Sequence, residues 1–169
     1  WSLLLESQGA SMSNDDLIRQ VQNTCVEFCA ALTQDEVSKF VHYMRPMELG
    51  ANEMLADIGD VGASFYMVIG GSIQLFQVDG NAEYAVGLIS PGGLVGEMSF
   101  FDRRPRTVRL KTGESGAQLL EIKRQMYSRL RIEEPYISTN LLEFVIRSLD
   151  ELVRELSAKH ADLKKLLDS

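Results

Sequence analysis

The sequence is poor in the residues that most enzyme and metal sites require. Its 169 residues include only two histidines and two cysteines. His42 and His160 fall in different predicted helices, and no serine-elbow or Walker phosphate-loop motif occurs. Cys25 and Cys29 lie four residues apart on one face of a predicted helix with no histidine nearby, so we interpret them as reduced core residues. The sequence therefore predicts neither an enzyme nor a metal site.

The chain also lacks an excess of positive charge and a long hydrophobic run. Its 17 lysines and arginines against 24 aspartates and glutamates give a net charge of −7. This balance disfavours nucleic-acid binding, because the phosphate backbone requires a basic protein face. No apolar stretch is long enough to span a membrane and no secretory signal is recognisable, which favours a cytoplasmic protein.

Helical periodicity is found before and after a central region of different character. Apolar residues recur every three or four positions from Leu17 to Cys29, which predicts one helix over residues 15–31. Thr33 and Glu36 form a capping-box pattern, which predicts the start of a second helix that ends near Pro46. Residues 1–13 are given no role in the fold. The predicted organisation is a tail over 1–13, a domain over 14–134 and a C-terminal helix over 135–169.

The central region has the two-residue period of short strands. Glycine, asparagine and aspartate turns separate these strands, for example at Asp79-Gly80-Asn81. Even spacing of short strands indicates an α+β, mainly-β fold, a jelly-roll barrel with flanking helices whose mouth has room for one small ligand. The predicted strands are Met47–Leu55, Phe65–Ile69, Ser72–Val78, Tyr84–Ile89, Thr107–Lys111 and Gln118–Ile122.

The series of predicted strands is interrupted once by a helical segment, between Ile89 and Thr107, and this segment contains the candidate binding residues. A Gly-Gly turn at Gly92 precedes Gly96-Glu97, and Arg106 follows nine residues after Glu97. Glycines let backbone N–H groups approach a ligand, and a short helix after such a turn points its free N–H groups at an anion. An arginine fork suits phosphate oxygens, and a carboxylate accepts hydrogen bonds from a sugar hydroxyl. The pattern predicts a site for a phosphate and a ribose held side by side.

This segment resembles the phosphate-binding cassette of cyclic-nucleotide-binding domains, especially those of bacterial regulators of the catabolite-activator-like family. That cassette has Gly-Glu, then seven residues, then Pro-Arg and a serine or threonine, as from Gly96 to Thr107 here. The resemblance implies that Gly96 and Glu97 bind the ribose, that Arg106 and Thr107 bind the cyclic phosphate, and that cAMP or cGMP is the ligand. The residues it assigns to ligand binding are Gly96, Glu97, Met98, Ser99, Arg106, Thr107 and Val108, with Ser99 and Val108 contributing backbone N–H groups.

The C-terminal helix carries a heptad pattern. Leucines recur every seven residues from Leu142 to Leu163, and Val145, Leu152, Lys159 and Leu166 form the companion row. This a/d seam favours a parallel coiled coil and a homodimer, and the family resemblance agrees. A helix folded back on its own barrel remains the alternative. The predicted seam consists of Leu142, Val145, Leu149, Leu152, Leu156 and Leu163.

The resemblance predicts a receptor in which ligand binding moves the C-terminal helix and signals to a partner protein. If Pro135 aligns with the proline that begins the family's dimer helix, Leu149, Leu152 and Val153 form an apolar lid over the base. Related transcription factors continue into a helix-turn-helix domain, and none follows here before Ser169, so this chain is not expected to bind DNA. A ligand-free interaction domain and the sensor half of a transcription factor remain alternatives.

Overall fold

The computed structural model describes residues 12–169 and has six antiparallel strands rolled between two groups of helices. Most of the predicted tail, residues 1–11, lies outside the described residues. Its last residue, Ser13, does take part in the fold, because its side chain accepts a hydrogen bond from the backbone N–H of Asp16 and caps the first helix. In chain order the elements are α1 (Asn14–Thr24), α2 (Val26–Cys29), α3 (Gln34–His42), β1 (Arg45–Leu49), β2 (Met54–Ala56), β3 (Ser64–Asp79), β4 (Ala82–Ile89), β5 (Leu94–Val95), α4 (Glu97–Asp102), β6 (Arg109–Lys123), α5 (Arg124–Glu133) and α6 (Pro135–Leu167).

Two long bent strands, β3 and β6, organise the sheet. Its order is β1-β6-β3-β4, with β2 on β6 and β5 on β3. The sequence predicted two short strands in place of each, and this prediction is wrong because the intervening glycines bend the strands without ending them. Gly71 and Gly116 both have positive φ, and a Cβ added to Gly71 would lie 2.1 Å from the Gly116 carbonyl oxygen. The predicted α+β, mainly-β fold class is confirmed.

The first predicted helix is divided. Residues 15–31 do not form one helix, because the backbone leaves helical geometry at Cys25, with φ −97° and ψ 55°. The break lets α2 bury Phe28 completely, with its ring centroid 4.6 Å from that of Phe40. Asn140 of α6 donates a hydrogen bond to the Phe28 carbonyl oxygen at 2.9 Å. Burial of Phe28 between α3 and α6 therefore accounts for a break that periodicity did not reveal.

The second helix begins as predicted. The Thr33 hydroxyl accepts from the Glu36 backbone N–H at 3.2 Å, and the Glu36 carboxylate accepts from the Thr33 N–H at 3.0 Å. This reciprocal capping box confirms the prediction at the start of α3. The helix ends at His42, before Pro46.

Alternation along β3 divides the core in two. Phe65, Met67 and Ile69 face the helices, whereas Tyr66 and Val68 point into the roll. The helical side extends to Phe100 of α4 and to residues of α5 and α6. The segment that carries the cassette motif is therefore packed between the roll and the C-terminal helices.

The long helix α6 has two different halves. Its buried residues all lie between Ile137 and Val145, and Leu142 and Leu149 pack partly against the same core. From Asp150 onward every residue is exposed, a stretch of about 27 Å at 1.5 Å per residue. The first half folds back on its own domain, as the alternative predicted. The predicted seam is consequently free only in its distal half, because Val145 is 4% exposed whereas Leu156 and Leu163 are 56% and 60% exposed.

No helix among residues 12–169 combines the length and the apolarity that a membrane crossing requires.

Candidate functional site

A cavity of about 330 Å³ opens beside α4, between the roll and α6. All seven residues assigned to ligand binding line it. Leu152 of the predicted lid lines it as well. Sequence reasoning missed the rest of the lining, which comes mainly from strand residues brought together by the roll: Leu75, Ile89, Leu94, Val95, Asp102, Arg104, Pro105 and Leu110.

Arg106 is the buried cation of this cavity. Its side chain is only 8% exposed, and its guanidinium donates to the carbonyl oxygens of Gly96 at 3.0 Å and Ser64 at 3.2 Å. Within residues 12–169 no carboxylate lies within ion-pair distance of it. A buried charge that is compensated only by carbonyl dipoles is costly. An anion bound in the cavity would supply the missing counter-charge.

The backbone fixes Arg106 firmly in place. Its N–H donates to the Asp60 carbonyl oxygen at 2.7 Å, and its own carbonyl oxygen accepts from Gly59 at 2.9 Å. Gly96 has φ +80°, and a Cβ there would lie 2.8 Å from Arg106 Nη1. Glycine at position 96 thus serves two purposes, because it adopts the left-handed turn and leaves space for the guanidinium.

Glu97, the first residue of α4, is a half-buried carboxylate on the same cavity. Burial raises its pKa, while a bond from its own backbone N–H and the charge of Arg106 partly oppose this rise. A sugar hydroxyl that donates to the ionised carboxylate would replace part of the water that burial removes.

The raised pKa predicts a pH-dependent cost to the ligand-free fold. The folded chain holds a proton on Glu97 at pH values where the unfolded chain, with an ordinary pKa near 4.5, has lost it. The stability that this group contributes is therefore lost as pH rises through that window. We expect Glu97→Gln to have a higher free energy of unfolding than the wild type at pH 7, with a smaller difference at pH 4. Urea denaturation at both pH values measures this, and an equal difference at the two pH values would contradict it.

Ser99 holds the cassette together through its side chain. Its Oγ accepts from the Gly62 N–H at 2.7 Å and donates to the Arg104 carbonyl oxygen at 2.6 Å. Both bonds are internal to the protein, so the Ser99 hydroxyl is used by the fold. Sequence reasoning did not identify Gly62, where a Cβ would lie 2.8 Å from Arg106 Nη2 and 3.0 Å from the Phe100 nitrogen.

The remaining cassette residues lie at the cavity rim. Thr107 is exposed and Met98 is 58% exposed, whereas Val108 packs partly against the interior of the roll. Only Leu152 of the predicted lid reaches the cavity. Leu149 instead packs against the helical core, and Val153 is 59% exposed and does not line the cavity. The first half of α6 packs against the core and thereby fixes which face of the helix points at the cavity. Leu149 and Val153 are not on that face.

The other arginines of the cassette region do not form a common anion site. Arg109 is paired with Asp57 at 2.8 Å and with Glu83 at 2.6 Å, and its hydrogen bonds are the main reason that the pKa values of both carboxyl groups are lowered. Arg103 is exposed and ends α4 with φ 58°. Arg104 is exposed but lines the cavity. Arg106 is consequently distinguished from its neighbours by burial.

The described residues contain no group of three or more histidine, cysteine, aspartate or glutamate side chains that could bind a metal ion. Burial raises the pKa of the Cys25 thiol to about 12 and that of Cys29 to about 11. Both cysteines are free, and at neutral pH neither is the thiolate that nucleophilic chemistry needs.

Comparisons with known proteins agree with this geometry. Residues 46–133 match the family model described as "Cyclic nucleotide-binding domain". The chain is 30% identical over 126 residues to the cyclic AMP receptor protein of Thermus thermophilus, covering 74% of this chain and 58% of that relative. The chain therefore spans less than two thirds of that relative's length.

Solved structures show the same fold. The catabolite activator protein of Thermus thermophilus superposes with a TM-score of 0.66 at 28% identity, over 78% of this chain and 62% of that one. A cyclic nucleotide-binding domain from Methylobacillus flagellatus superposes with a TM-score of 0.73 over 83% of this chain and 80% of its own length. Its identity of 17% supports the fold only.

Proposed function

Because this chain belongs to the cyclic nucleotide-binding domain family, we propose that it is a receptor for cAMP or cGMP and that its cavity beside α4 is the binding site. The family is one of ligand-binding regulatory domains and not of enzymes. The observation that carries the proposal is Arg106, a buried cation that faces the cavity without a carboxylate partner in the described part of the chain. The cavity volume of about 330 Å³ is at the lower end of the range of small-molecule sites, about 300–1,000 Å³.

In this proposal the cyclic phosphate binds Arg106 and the hydroxyl of Thr107. The guanidinium would exchange its carbonyl contacts at Gly96 and Ser64 for phosphate oxygens. A phosphate oxygen carries a negative charge and a carbonyl oxygen only a partial one, so the attraction between opposite charges adds to each bond that arginine makes. The exchange would favour the ligand-bound state, and because it releases the Gly96 carbonyl at the start of α4, we expect α4 to move when the ligand binds.

The ribose and the base would occupy the rest of the cavity. The half-buried Glu97 carboxylate, which lines the cavity, would accept a hydrogen bond from the ribose 2′-hydroxyl, as the resemblance implies. The purine would contact the apolar wall that Leu75, Ile89 and Leu152 form. This wall offers surface for stacking without polar groups that read the edge of the base.

Ligand-dependent thermal unfolding tests the proposal. We expect cAMP and cGMP each to raise Tm, whereas 5′-AMP, which has the same base but no cyclic phosphate, raises it much less. A ligand present at 100 times its Kd adds about 2.7 kcal/mol to the free energy of unfolding. If millimolar cAMP and cGMP both leave Tm unchanged, the chain is a ligand-free interaction domain of the same fold.

The apolar wall predicts weak discrimination between the two bases. Strong rejection of one purine requires a buried polar group that the wrong base leaves unpaired, and only Leu152 of the lid reaches the cavity. We expect the affinities for cAMP and cGMP to lie within about tenfold, about 1.4 kcal/mol. A preference above about a hundredfold in competition binding would mean that a polar group reads the base.

Thr107 is the residue expected to bias this balance. In domains that this chain resembles, a threonine directly after the cassette arginine favours cGMP, because its hydroxyl can bond both the phosphate and the amino group of a syn guanine. We therefore expect Thr107→Ala to weaken cGMP binding more than cAMP binding. Thr107→Ser, which retains the hydroxyl, is the matched control. Equal losses for both nucleotides in Thr107→Ala would limit Thr107 to the phosphate.

We further propose that the output passes through the distal half of α6. Leu156 and Leu163 are exposed at heptad spacing, and a second copy of this helix in parallel register would cover them. Ligand-driven movement of α6 within such a homodimer would signal to a downstream partner.

A further inference from the structure

Arg124, the first residue of α5, contacts two segments outside its own helix. Its Nη2 donates to the carbonyl oxygens of Phe100 at 2.7 Å and Gly62 at 2.9 Å. Its guanidinium carbon lies 4.3 Å from the centroid of the Phe100 ring, which adds a cation–π contact. Within residues 12–169 it forms no ion pair with a carboxylate. The Arg124 guanidinium therefore bonds backbone carbonyl oxygens that lie outside α5.

Both of these backbone segments touch Arg106. Gly62 lies directly against the Arg106 guanidinium, because a Cβ there would lie 2.8 Å from Nη2. Phe100 belongs to α4, the helix that begins next to the Gly96 carbonyl to which Arg106 donates. Ser99 fastens the two segments to each other through its bond from the Gly62 N–H. A displacement of Arg106 would thus shift both carbonyl oxygens that hold Arg124.

Arg124 is also covalently part of the C-terminal helices. It opens α5, which ends at Glu133, and a single residue separates α5 from the start of α6 at Pro135. Tyr127, one turn further along α5, packs its ring 5.6 Å from those of Phe100 and Phe101. Those aromatic contacts are non-directional compared with hydrogen bonds. In the part of the chain that the structure describes, Arg124 makes the only side-chain hydrogen bond between α5 and α4.

We infer that Arg124 is a positioning residue that couples the cassette to α5 and, through it, to α6. The inference rests on the proposed function, in which a phosphate re-aims Arg106 and moves α4. The Phe100 carbonyl oxygen lies in the C-terminal half of this six-residue helix, where a cation is favourable, and we expect the bond to Arg124 to persist as α4 moves. The start of α5 follows the cassette through this bond. Without it, the cassette closes on the ligand and the helices do not respond.

Hydrogen exchange of the whole chain, followed by mass spectrometry, tests the inference. Arg124→Met keeps the length and the apolar stem of the side chain but removes the donor. Arg129→Met is the matched control, because Arg129 is on the same helix and, among the described residues, bonds only to Glu133 one turn later. Loss of bonds from a charged group should speed exchange in residues 97–104 and 124–130 about tenfold in ligand-free Arg124→Met, with no such change in Arg129→Met. Unchanged exchange in Arg124→Met would overturn the inference.

Saturating cAMP separates coupling from a merely structural role. In the wild type and in Arg129→Met we expect the nucleotide to change exchange in both 97–104 and 124–133. In Arg124→Met it should still protect 97–104, with a Kd within about threefold of the wild type, and leave 124–133 unchanged. A wild-type response of α5 in Arg124→Met would refute the coupling. If cAMP fails to bind the wild type, the proposed function fails, and the ligand-free comparison still decides whether Arg124 holds α4 to α5.

If Arg124→Met does not fold, Arg124→Gln replaces it in both comparisons.

Discussion

Replacing Arg106 with alanine is expected to abolish cyclic-nucleotide binding at any practical concentration. Loss of a buried, charge-assisted contact costs about 2–5 kcal/mol, which takes a micromolar Kd toward the millimolar range. Arg106 is 8% exposed and faces the cavity, so no other arginine of the cassette can replace it. Binding of cAMP and cGMP measured by calorimetry decides the prediction.

The neighbouring arginines provide the controls. Arg104 lines the same cavity but is exposed, so Arg104→Ala should change affinity by less than about threefold, in keeping with the small contribution of exposed charges. Arg103→Ala should do even less. A larger loss in either control than in Arg106→Ala would mean that the cassette is assigned in the wrong register.

Arg106→Ala also leaves the carbonyl oxygens of Gly96 and Ser64 without their present donor. Water entering the vacated space can bond them, so the chain should remain folded with a modest loss of stability, about 1–3 kcal/mol. Circular dichroism and urea denaturation of the variant establish that a loss of binding is not a loss of fold.

The exposed leucines in the distal half of α6 are expected to control assembly. Changing Leu156 and Leu163 together to glutamate should convert the proposed homodimer into monomers, because like charges would face each other across a desolvated seam. Both leucines are more than half exposed and lie beyond the last residue that packs on the domain. The fold of the single chain should therefore be unaffected. Analytical ultracentrifugation of the wild type and the variant measures the change.

A charge-matched variant isolates the seam. Ser157→Glu with Ala161→Glu adds two negative charges to the same half of α6, at exposed positions outside the heptad rows. This protein should sediment as the wild type does. A wild-type chain that is monomeric at the highest concentration studied would remove the coiled-coil proposal and leave the distal helix for a different protein partner.

Local sequence signals predicted the parts of the structure that depend on neighbouring residues. The Thr33–Glu36 capping box needs four consecutive residues, and it forms as predicted. The cassette, from Gly96 to Thr107, folds as a turn, a short helix and a loop within one segment, so its spacing places Glu97 and Arg106 on one cavity. The residues that the resemblance assigns to the ligand therefore line one cavity, because they lie within about a dozen consecutive positions.

The features that sequence reasoning did not predict correctly depend on tertiary packing. The break at Cys25 serves the burial of Phe28, and the leucine at 149 that fits a heptad is used by the chain's own core. Gly71 and Gly116 resembled turn residues, but they bend strands that continue. The contacts of Arg124 with Gly62 and Phe100 join residues 62 and 24 positions apart, and no local pattern announces them. Residues whose partners are distant in sequence are those for which sequence reasoning failed.

Calorimetric titration of the wild-type chain with cAMP and with cGMP tests directly whether the chain is a cyclic-nucleotide receptor. Under the proposed function we expect saturable binding of both nucleotides, one per chain, with micromolar or tighter Kd values within about tenfold of each other, and no comparable heat with 5′-AMP. Absence of saturable binding of either cyclic nucleotide at millimolar concentration, to a chain shown to be folded, would contradict it.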